Sequence, residues 1–182
     1  MSTIQFKTKL FKIAQWTILH LPESESVKLP SRGQVMVKGV INGVPIHTAL
    51  EPDGKWSHWI KVDKAMQDAI GAVAGDTVSV TMESTKDWPE PDVPKDLKDA
   101  LAADTQAFDL WMAVTPSARW DWIRWIVGTK NAETRAKRIR VSFSKLKAGE
   151  KRPCCFNRAM CTDPYVSKGG RLLEPGESEK ID

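Results

Sequence analysis

The segment of residues 39–83 constrains the fold most, because it alternates short apolar–polar runs with turn dipeptides. Asn42-Gly43 stands between two such runs, and both residues tolerate the positive φ of a type I′ hairpin turn. Asp53-Gly54 repeats the signal before a third run, so a second hairpin is expected. The strands flanking these turns are predicted at residues 35–41, 44–50 and 56–62.

The rest of this region adds a short helix and further strands. Asp63 can cap a helix over residues 64–70, and Gly71 can end it in the left-handed conformation. Gly75-Asp76 then precedes an alternating strand, and residues 4–10 and 15–21 are also rich in strand-forming types. Residues 23–32 are expected to form a surface loop. Together these segments predict a small β-barrel of six or seven short strands over residues 1–85.

A proline-rich linker, residues 86–95, separates this barrel from a helical module over residues 96–148. After the linker the apolar period changes from two to about three and a half. The helix starts are marked by Pro94, Asp104, Thr115-Pro116 and Asn131. Residues 149–182 form a cysteine-containing tail, expected to dock up to about Tyr165 and to fray beyond it. The predicted fold class is therefore α+β.

The helix from Pro116 carries apolar residues around more than half of its circumference, which predicts that it is wedged between two surfaces. Arg119 falls inside this apolar arc and lies in the first turn, where the helix dipole disfavours a cation. A buried arginine needs a partner, and Asp109 or Glu133 is expected to supply it. Four tryptophans could form a ligand cage but are more typical of a core at this spacing: Trp111, Trp120, Trp122 and Trp125.

The last predicted helix is strongly basic. The chain carries a formal net charge of +4, and residues 129–147 hold seven Lys or Arg against Glu133 alone. A solvated face with ion pairs and a binding surface for an anionic partner are both consistent with this pattern. The candidate anion- or partner-binding residues are Arg135, Lys137, Arg138 and Lys145. The inward residues of the same helix are predicted to be Ala132, Ala136, Ile139, Phe143 and Leu146.

Composition narrows the class of protein. No run of the 182 residues reaches the length of an apolar membrane span, and the N-terminus has no signal-peptide pattern, so a cytoplasmic protein is expected. The three cysteines, Cys154, Cys155 and Cys161, lie together near the C-terminus. With Asp163 they suggest zinc, but vicinal cysteines fit one tetrahedral ion poorly, and reduced, partly buried thiols are the favoured interpretation. No metal site and no cofactor is predicted.

Catalytic groups are not apparent in the sequence. His20, His47 and His58 all lie in predicted strands, and His47 and His58 could face each other across a hairpin and hold a metal or a proton. No serine or cysteine has a local arrangement that suggests a nucleophile with a base. A small-ligand pocket at the mouth of the barrel would involve Trp56, His58 and Trp59.

Two sets of motifs resemble known bacterial domains. Residues 40–45, followed by Asp53-Gly54 and residues 75–80, resemble the N-terminal domain of a bacterial family of unknown function, which implies a double-split β-barrel. A second set of motifs looks like the helical domain that follows it in that family, named bacteriocin-protection or OmpD-associated. These motifs are residues 116–119, Trp125-Ile126, Lys130, and residues 133–135 with Arg138-Ile139. Family members often carry Ala-Lys where this chain has Gly128-Thr129-Lys130. The resemblance implies a fold but no catalytic residues.

Three functions remain open. The resemblance implies a non-enzymatic cytoplasmic interaction protein of the bacteriocin-protection or OmpD-associated type, with a link to stress, and its partner is unknown. The first alternative is a nucleic-acid-binding protein that uses the basic helix, residues 131–147. The second is a small-ligand protein with a pocket at the barrel mouth.

Overall fold

The computed structural model describes residues 3–153 and 162–177. Within this part the chain forms two compact units. The first contains the residues up to Asp87 together with those from Pro164 onward, and the second spans Trp88–Asp163.

The first unit is a single curled, antiparallel sheet in the form of a half-barrel, followed in the chain by the helices of the second unit. This confirms the predicted α+β class and the predicted number of strands. The strand order is β1-β7-β4-β5-β6-β3-β2, and among the described strands the two at the ends, β1 and β2, do not pair with each other. The strands are β1 (Thr3–Lys9), β2 (Phe11–Ile13), β3 (Trp16–His20), β4 (Val35–Ile41), β5 (Val44–Pro52), β6 (His58–Val62) and β7 (Thr77–Ser84).

The local signals of the sequence are found where they were predicted. Asn42 and Gly43 have φ values of 48° and 82° and join β4 to β5 as a hairpin. The Asp63 carboxylate accepts a hydrogen bond from Met66 N and caps helix α2 (Lys64–Ile70). Two elements were not predicted: the strand β2, and the one-turn helix α1 (Glu23–Ser26) inside the expected surface loop.

Gly39 allows the sheet to bend where β4 passes β7. A Cβ atom at this position would lie 2.1 Å from Thr81 O and 2.6 Å from Met82 Cα. No side chain fits at those distances, so the close approach of the two strands requires glycine. The concave side is filled by an apolar cluster that includes Leu19, Val37, Leu50 and Val80.

The C-terminal segment packs against the same half-barrel beyond the point at which fraying was expected. Val166 pairs with Leu172 in a short antiparallel bridge, and Leu172 N donates to Asp53 O over 2.9 Å. Val166, Leu172 and Leu173 are all buried. The expectation of a frayed chain after Tyr165 is therefore wrong for residues 166–173, because the apolar side chains at both ends of this segment are buried in the unit that contains the half-barrel.

His58 lies within the same unit and is fully buried. Its Nε2 donates to Gly33 O over 2.8 Å, so Nδ1 is left to accept from the Ser26 hydroxyl over 2.7 Å. Burial lowers the pKa of His58 below its usual value of 6.5, because it outweighs the hydrogen bond to Gly33 O and the charge of Asp53, which both act to raise that pKa. In its neutral form the ring therefore has a hydrogen-bond partner for each of its two nitrogens.

His47 lies opposite Lys38 and not opposite His58, so the predicted pairing of the two histidines across a hairpin does not form.

Among its described residues, the second unit contains four helices whose starts match the sequence-based expectation. These are α3 (Lys95–Ala102), α4 (Thr105–Ala113), α5 (Pro116–Val127) and α6 (Ala132–Lys147). The side chains of Asp104, Thr115 and Asn131 accept from backbone N–H groups at the starts of α4, α5 and α6. The inward face of α6 contains Ile139, Ser142 and Leu146, whereas Ala132 and Ala136 are exposed. The predicted inward residues were therefore correct only in the second half of this helix.

Arg119 is buried, as predicted, but its partners differ from those expected. The guanidinium donates through Nη1 to the carbonyl oxygens of Trp111, Met112 and Val114 at the end of α4, and through Nε and Nη2 to Glu90. A cation is unfavourable at the start of its own helix but favourable at the carboxyl end of another. The carbonyl oxygens at the end of α4 therefore explain why Arg119 is buried here, and the expected partners Asp109 and Glu133 do not.

The polar stripe of α5 is covered by chain that follows α6. Asp121 is buried and pairs with Arg152 over 2.6 Å, while Trp122 Nε1 donates to Lys151 O. Arg124 pairs with Asp163 over 2.5 Å on the same helix. The helix α5 therefore has packed chain on both its apolar and its polar side, as its wide apolar arc predicted.

Replacement of Gly54 by alanine is expected to destabilise the first unit more than the same change at Gly43. Both glycines have positive φ, 74° and 82°, but only at Gly54 would a Cβ collide with backbone, 2.6 Å from Gly170 O. We expect Gly43→Ala to lower the free energy of unfolding by about 1 kcal/mol and Gly54→Ala by about 2–4 kcal/mol in urea titrations. Equal losses would show that residues 170–171 do not press on this turn.

The free energy of unfolding is expected to fall as the pH drops below about 6.5, because His58 binds a proton more readily in the unfolded chain. A depressed pKa contributes stability that is complete above the unfolded value and is lost on acidification towards the folded value. Urea titrations at several pH values between 7.5 and 5 measure this slope. His58→Gln should flatten it while lowering stability at pH 7.5, and the exposed-histidine control His47→Gln should leave it unchanged. A slope unaltered in His58→Gln would contradict this account.

Candidate functional site

The candidate residues of the basic helix differ in how they are used. Arg135 makes a two-pronged ion pair with Asp96, Nε to Oδ2 at 2.5 Å and Nη2 to Oδ1 at 2.9 Å. The hydrogen bond from Arg135 lowers the pKa of Asp96, and Asp96 in turn raises the pKa of Arg135. The pair connects α6 to α3, which is a structural use of the guanidinium.

Arg138 is held against Trp125 of α5. Its Nη1 donates to Trp125 O over 2.6 Å, and the guanidinium carbon lies 5.3 Å from the centre of the indole ring. Lys145 pairs with Glu150 over 2.9 Å. Lys137 is exposed and has no ion-pair partner among the described residues. The four candidates therefore do not form one open basic surface.

The candidate pocket residues at the barrel mouth differ widely in exposure. Trp56 is 72 % exposed, whereas His58 and Trp59 are 0 % and 2 % exposed. The indole N–H of Trp59 donates to Pro52 O over 3.2 Å. Consecutive side chains of a strand point to opposite faces, and β6 is covered on both, so His58 and Trp59 are not accessible to a ligand.

A cleft of about 350 Å³ lies nearby in the first unit, bounded by β2, the end of β3, the turn after β5 and the C-terminal segment. Its apolar lining comes from Phe11, Leu172, Leu173 and Pro175. Its polar lining comes from His20, Glu23, Asp53, Lys55, Ser57 and Glu174. This combination of an apolar wall with a few convergent polar groups is typical of small-molecule sites.

The polar side of this cleft is organised by Asp53. Its Oδ1 accepts from the backbone N–H groups of Lys55 and Ser57 at 2.7 and 2.8 Å, and its Oδ2 accepts from His20 Nε2 at 2.8 Å. Burial on its own would raise the pKa of Asp53, but the hydrogen bonds from His20, Lys55 and Ser57 outweigh it and hold the pKa below the usual value of 3.8. Asp53 is therefore a carboxylate at neutral pH.

The same contacts fix the tautomer of His20. Because Nε2 donates to a carboxylate, Nδ1 of the neutral ring is an acceptor, and it makes no hydrogen bond within residues 3–153 and 162–177. The side chain of His20 is 34 % exposed. Ser57 is not paired with this imidazole, since its hydroxyl donates to Leu21 O over 2.7 Å. The geometry supplies an oriented hydrogen-bond acceptor but no serine nucleophile.

Sequence reasoning missed His20 and Asp53 as a pair. Asp53 was interpreted only as a turn residue, and His20 only as a strand residue. Their separation of 33 positions carries no periodic signal. The Asp53-Gly54-Lys55-Trp56-Ser57 order could have indicated a carboxylate that caps its own turn, as Asp commonly does, but not the partner that it would hold.

Helix α4 exposes apolar side chains on the face adjacent to its core residues, since each of them is the next residue along the helix. Ala107 and Trp111 are buried, whereas Phe108 is 45 % and Met112 is 55 % exposed.

Of the predicted tryptophan cluster, Trp111 and Trp122 lie in the core. Trp120 is 38 % exposed and contacts Trp88 edge-on, with 6.4 Å between the ring centres. The cluster is not an open cage.

The cysteine prediction lies outside the described residues, which do not include Cys154, Cys155 or Cys161. Among the residues that are described, no group of three or more His, Cys, Asp or Glu side chains is placed to hold a metal ion. None of the helices in this part of the chain is both long and apolar enough to cross a membrane.

Comparison with known families assigns both halves of the chain. The family model "Domain of unknown function (DUF1905)" matches residues 5–82. The model "Bacteriocin-protection, YdeI or OmpD-Associated" matches residues 90–149. No curated protein matches the chain significantly. The predicted resemblance is confirmed: the chain contains a DUF1905 domain over residues 5–82 and, after it, a domain of the bacteriocin-protection, YdeI or OmpD-associated family over residues 90–149.

Proposed function

We propose that this chain is a non-enzymatic interaction protein whose C-terminal domain binds a segment of another protein through an exposed stripe of α4. The observation that carries the proposal is that Phe108 and Met112, one helical turn apart, are each about half exposed. Side chains at i and i+4 share a face, so the two form a continuous apolar patch. Phenylalanine and methionine are enriched in protein interfaces relative to the remaining surface.

The adjacent core face of α4 strengthens the argument. Ala107 and Trp111 pack into the helical core with Leu97, Ala118 and Trp122. Phe108 and Met112 widen the apolar arc of α4 beyond the part that these core contacts cover, and a helix with such a wide arc ordinarily has a neighbour along all of it. Single exposed apolar residues need no explanation, but a Phe–Met pair beside a face already anchored in the core is typical of a docking surface.

The charge beside the patch indicates what kind of segment would bind. Asp109 flanks the patch on the Met112 side, three residues before Met112; it is exposed and has no partner among the described residues. A partner helix with an apolar stripe and a flanking Lys or Arg would cover the patch and pair with this carboxylate. The family description, which names association with OmpD, agrees with a protein partner for this domain.

A site-specific photo-crosslinker in place of Met112 is expected to form one discrete adduct in the cells that make this protein. The matched control carries the crosslinker in place of Lys137, which is also exposed and lies on α6. Phe108→Ser should reduce the adduct at position 112, because the apolar patch loses half of its area. Once the crosslinked segment is mapped, a peptide of that sequence should bind with a Kd raised about tenfold or more by Phe108→Ser. The absence of an adduct, or the same adduct from both positions, would contradict the proposal.

Nucleic-acid binding through α6 is the alternative, and its support is weaker because Arg135 and Arg138 are committed to Asp96 and Trp125. The exposed cations left on the helix are Lys137 and Arg140. Fluorescence anisotropy with double-stranded DNA, single-stranded DNA and RNA over a salt series tests it.

We expect little saturable binding at 100 mM salt, and we expect Arg135→Ala with Arg138→Ala to lower the melting temperature instead. Tight binding that weakens with salt and is reduced by Lys137→Ala with Arg140→Ala, but not by the first pair, would favour the nucleic-acid function through these other residues.

A further inference from the structure

We propose that the cleft beside His20 in the DUF1905 domain is a binding site for a small organic ammonium ion that carries an apolar body. The inference goes beyond the protein-interaction role, since it concerns the other domain. It depends on the shape of the cleft, on an oriented imidazole and on one free carboxylate. None of these features is needed for α4 to bind a partner.

The first step is the hydrogen-bonding capacity of His20. Asp53 occupies Nε2 from one side, and the imidazole presents Nδ1 as an acceptor without a partner in the described chain. Three of the roughly four lone-pair positions of Asp53 are already used, because Lys55 N, Ser57 N and His20 donate to it. The cleft therefore offers an acceptor at His20, which selects a ligand with an N–H or O–H donor.

The second step is the charge of the lining. Lys55 and Glu174 form an ion pair with each other, so their two charges cancel. Glu23, in the single turn of α1, lines the cleft, is exposed, and makes no side-chain hydrogen bond or ion pair with the described residues. Asp53, whose pKa lies below its usual value, adds a second negative charge beside the cleft. An anion would be repelled here and a cation attracted, so the donor that fits both Glu23 and His20 is an ammonium group.

The third step is the apolar wall. Phe11 from β2 and Leu172, Leu173 and Pro175 from the C-terminal segment supply it. A volume of about 350 Å³ is within the lower part of the range of small-ligand pockets, and it accommodates an aromatic ring or a short aliphatic chain. The C-terminal segment is thus part of the site, held in place by the Leu172 N to Asp53 O hydrogen bond.

The test uses benzylamine, benzyl alcohol and benzoate as probes, titrated at pH 7 into the isotope-labelled full chain and followed by NMR. Benzylamine should shift the resonances of Phe11, His20 and Leu172 saturably, benzyl alcohol should do so with lower affinity, and benzoate should not. Glu23→Gln removes the countercharge and should weaken benzylamine about fivefold or more, with little effect on benzyl alcohol.

His20→Gln is designed to separate binding from folding. The glutamine amide can still donate to Asp53 from a position close to that of Nε2, while the Nδ1 acceptor is lost. We expect weaker binding of both amine and alcohol with the melting temperature nearly retained. His47→Gln, which changes a histidine outside the cleft, is the matched control and should bind as the parent chain does.

Several outcomes would overturn the proposal. One is the absence of saturable shifts at the cleft for benzylamine. Another is benzoate binding as well as benzylamine, which would contradict the ligand class. A third is unchanged benzylamine affinity in both Glu23→Gln and His20→Gln, which would show that the probe binds elsewhere.

Discussion

The half-barrel depends on the buried carboxylate of Asp53. One oxygen closes the turn between β5 and β6 through two backbone N–H groups, and the other holds His20 at the end of β3. The backbone of the same residue bonds Ser57 within the turn and receives Leu172 from the C-terminal segment. Three parts of the chain far apart in sequence are thus joined at one residue. A buried carboxylate costs free energy unless hydrogen-bond donors surround it. The charge of Asp53 is therefore tolerated because these parts of the chain meet there, and its hydrogen bonds in turn hold them together.

This arrangement also decides where a ligand could bind. The strand β6 directs His58 and Trp59 into packed interior on both faces, so the residues that a sequence-based search favours for a pocket are unavailable. The cleft forms instead where the sheet stops and the returning C-terminal segment supplies the missing wall. Edges of sheets and ends of strands leave polar groups such as the His20 imidazole only partly covered. Binding chemistry is therefore found at the boundary of the half-barrel and not in its centre.

The sequence predicted what is determined locally. Turn dipeptides with positive φ placed both hairpins, and single capping side chains placed α2, α4, α5 and α6, because each signal acts within a few residues. The failures are contacts that span the chain. Arg119 finds Glu90 and the carbonyls of α4, His20 finds Asp53, and residues 166–173 find the half-barrel. No spacing within a segment encodes these pairs, so the cleft could not be predicted although the fold class could.

The helical domain illustrates why composition is a weak guide to function. Its basic helix has the charge of a nucleic-acid-binding surface, yet Arg135 bridges to α3 and Arg138 rests on an indole of α5, where both hold helices together. Guanidinium groups suit such roles because they bond in a plane and stack on rings, as lysine does not. The apolar helix α4, in contrast, packs one face into the core of the helical domain and leaves Phe108 and Met112 exposed. A partner gains free energy by binding to side chains that the fold leaves exposed, such as this apolar pair, rather than to charged groups that already have partners.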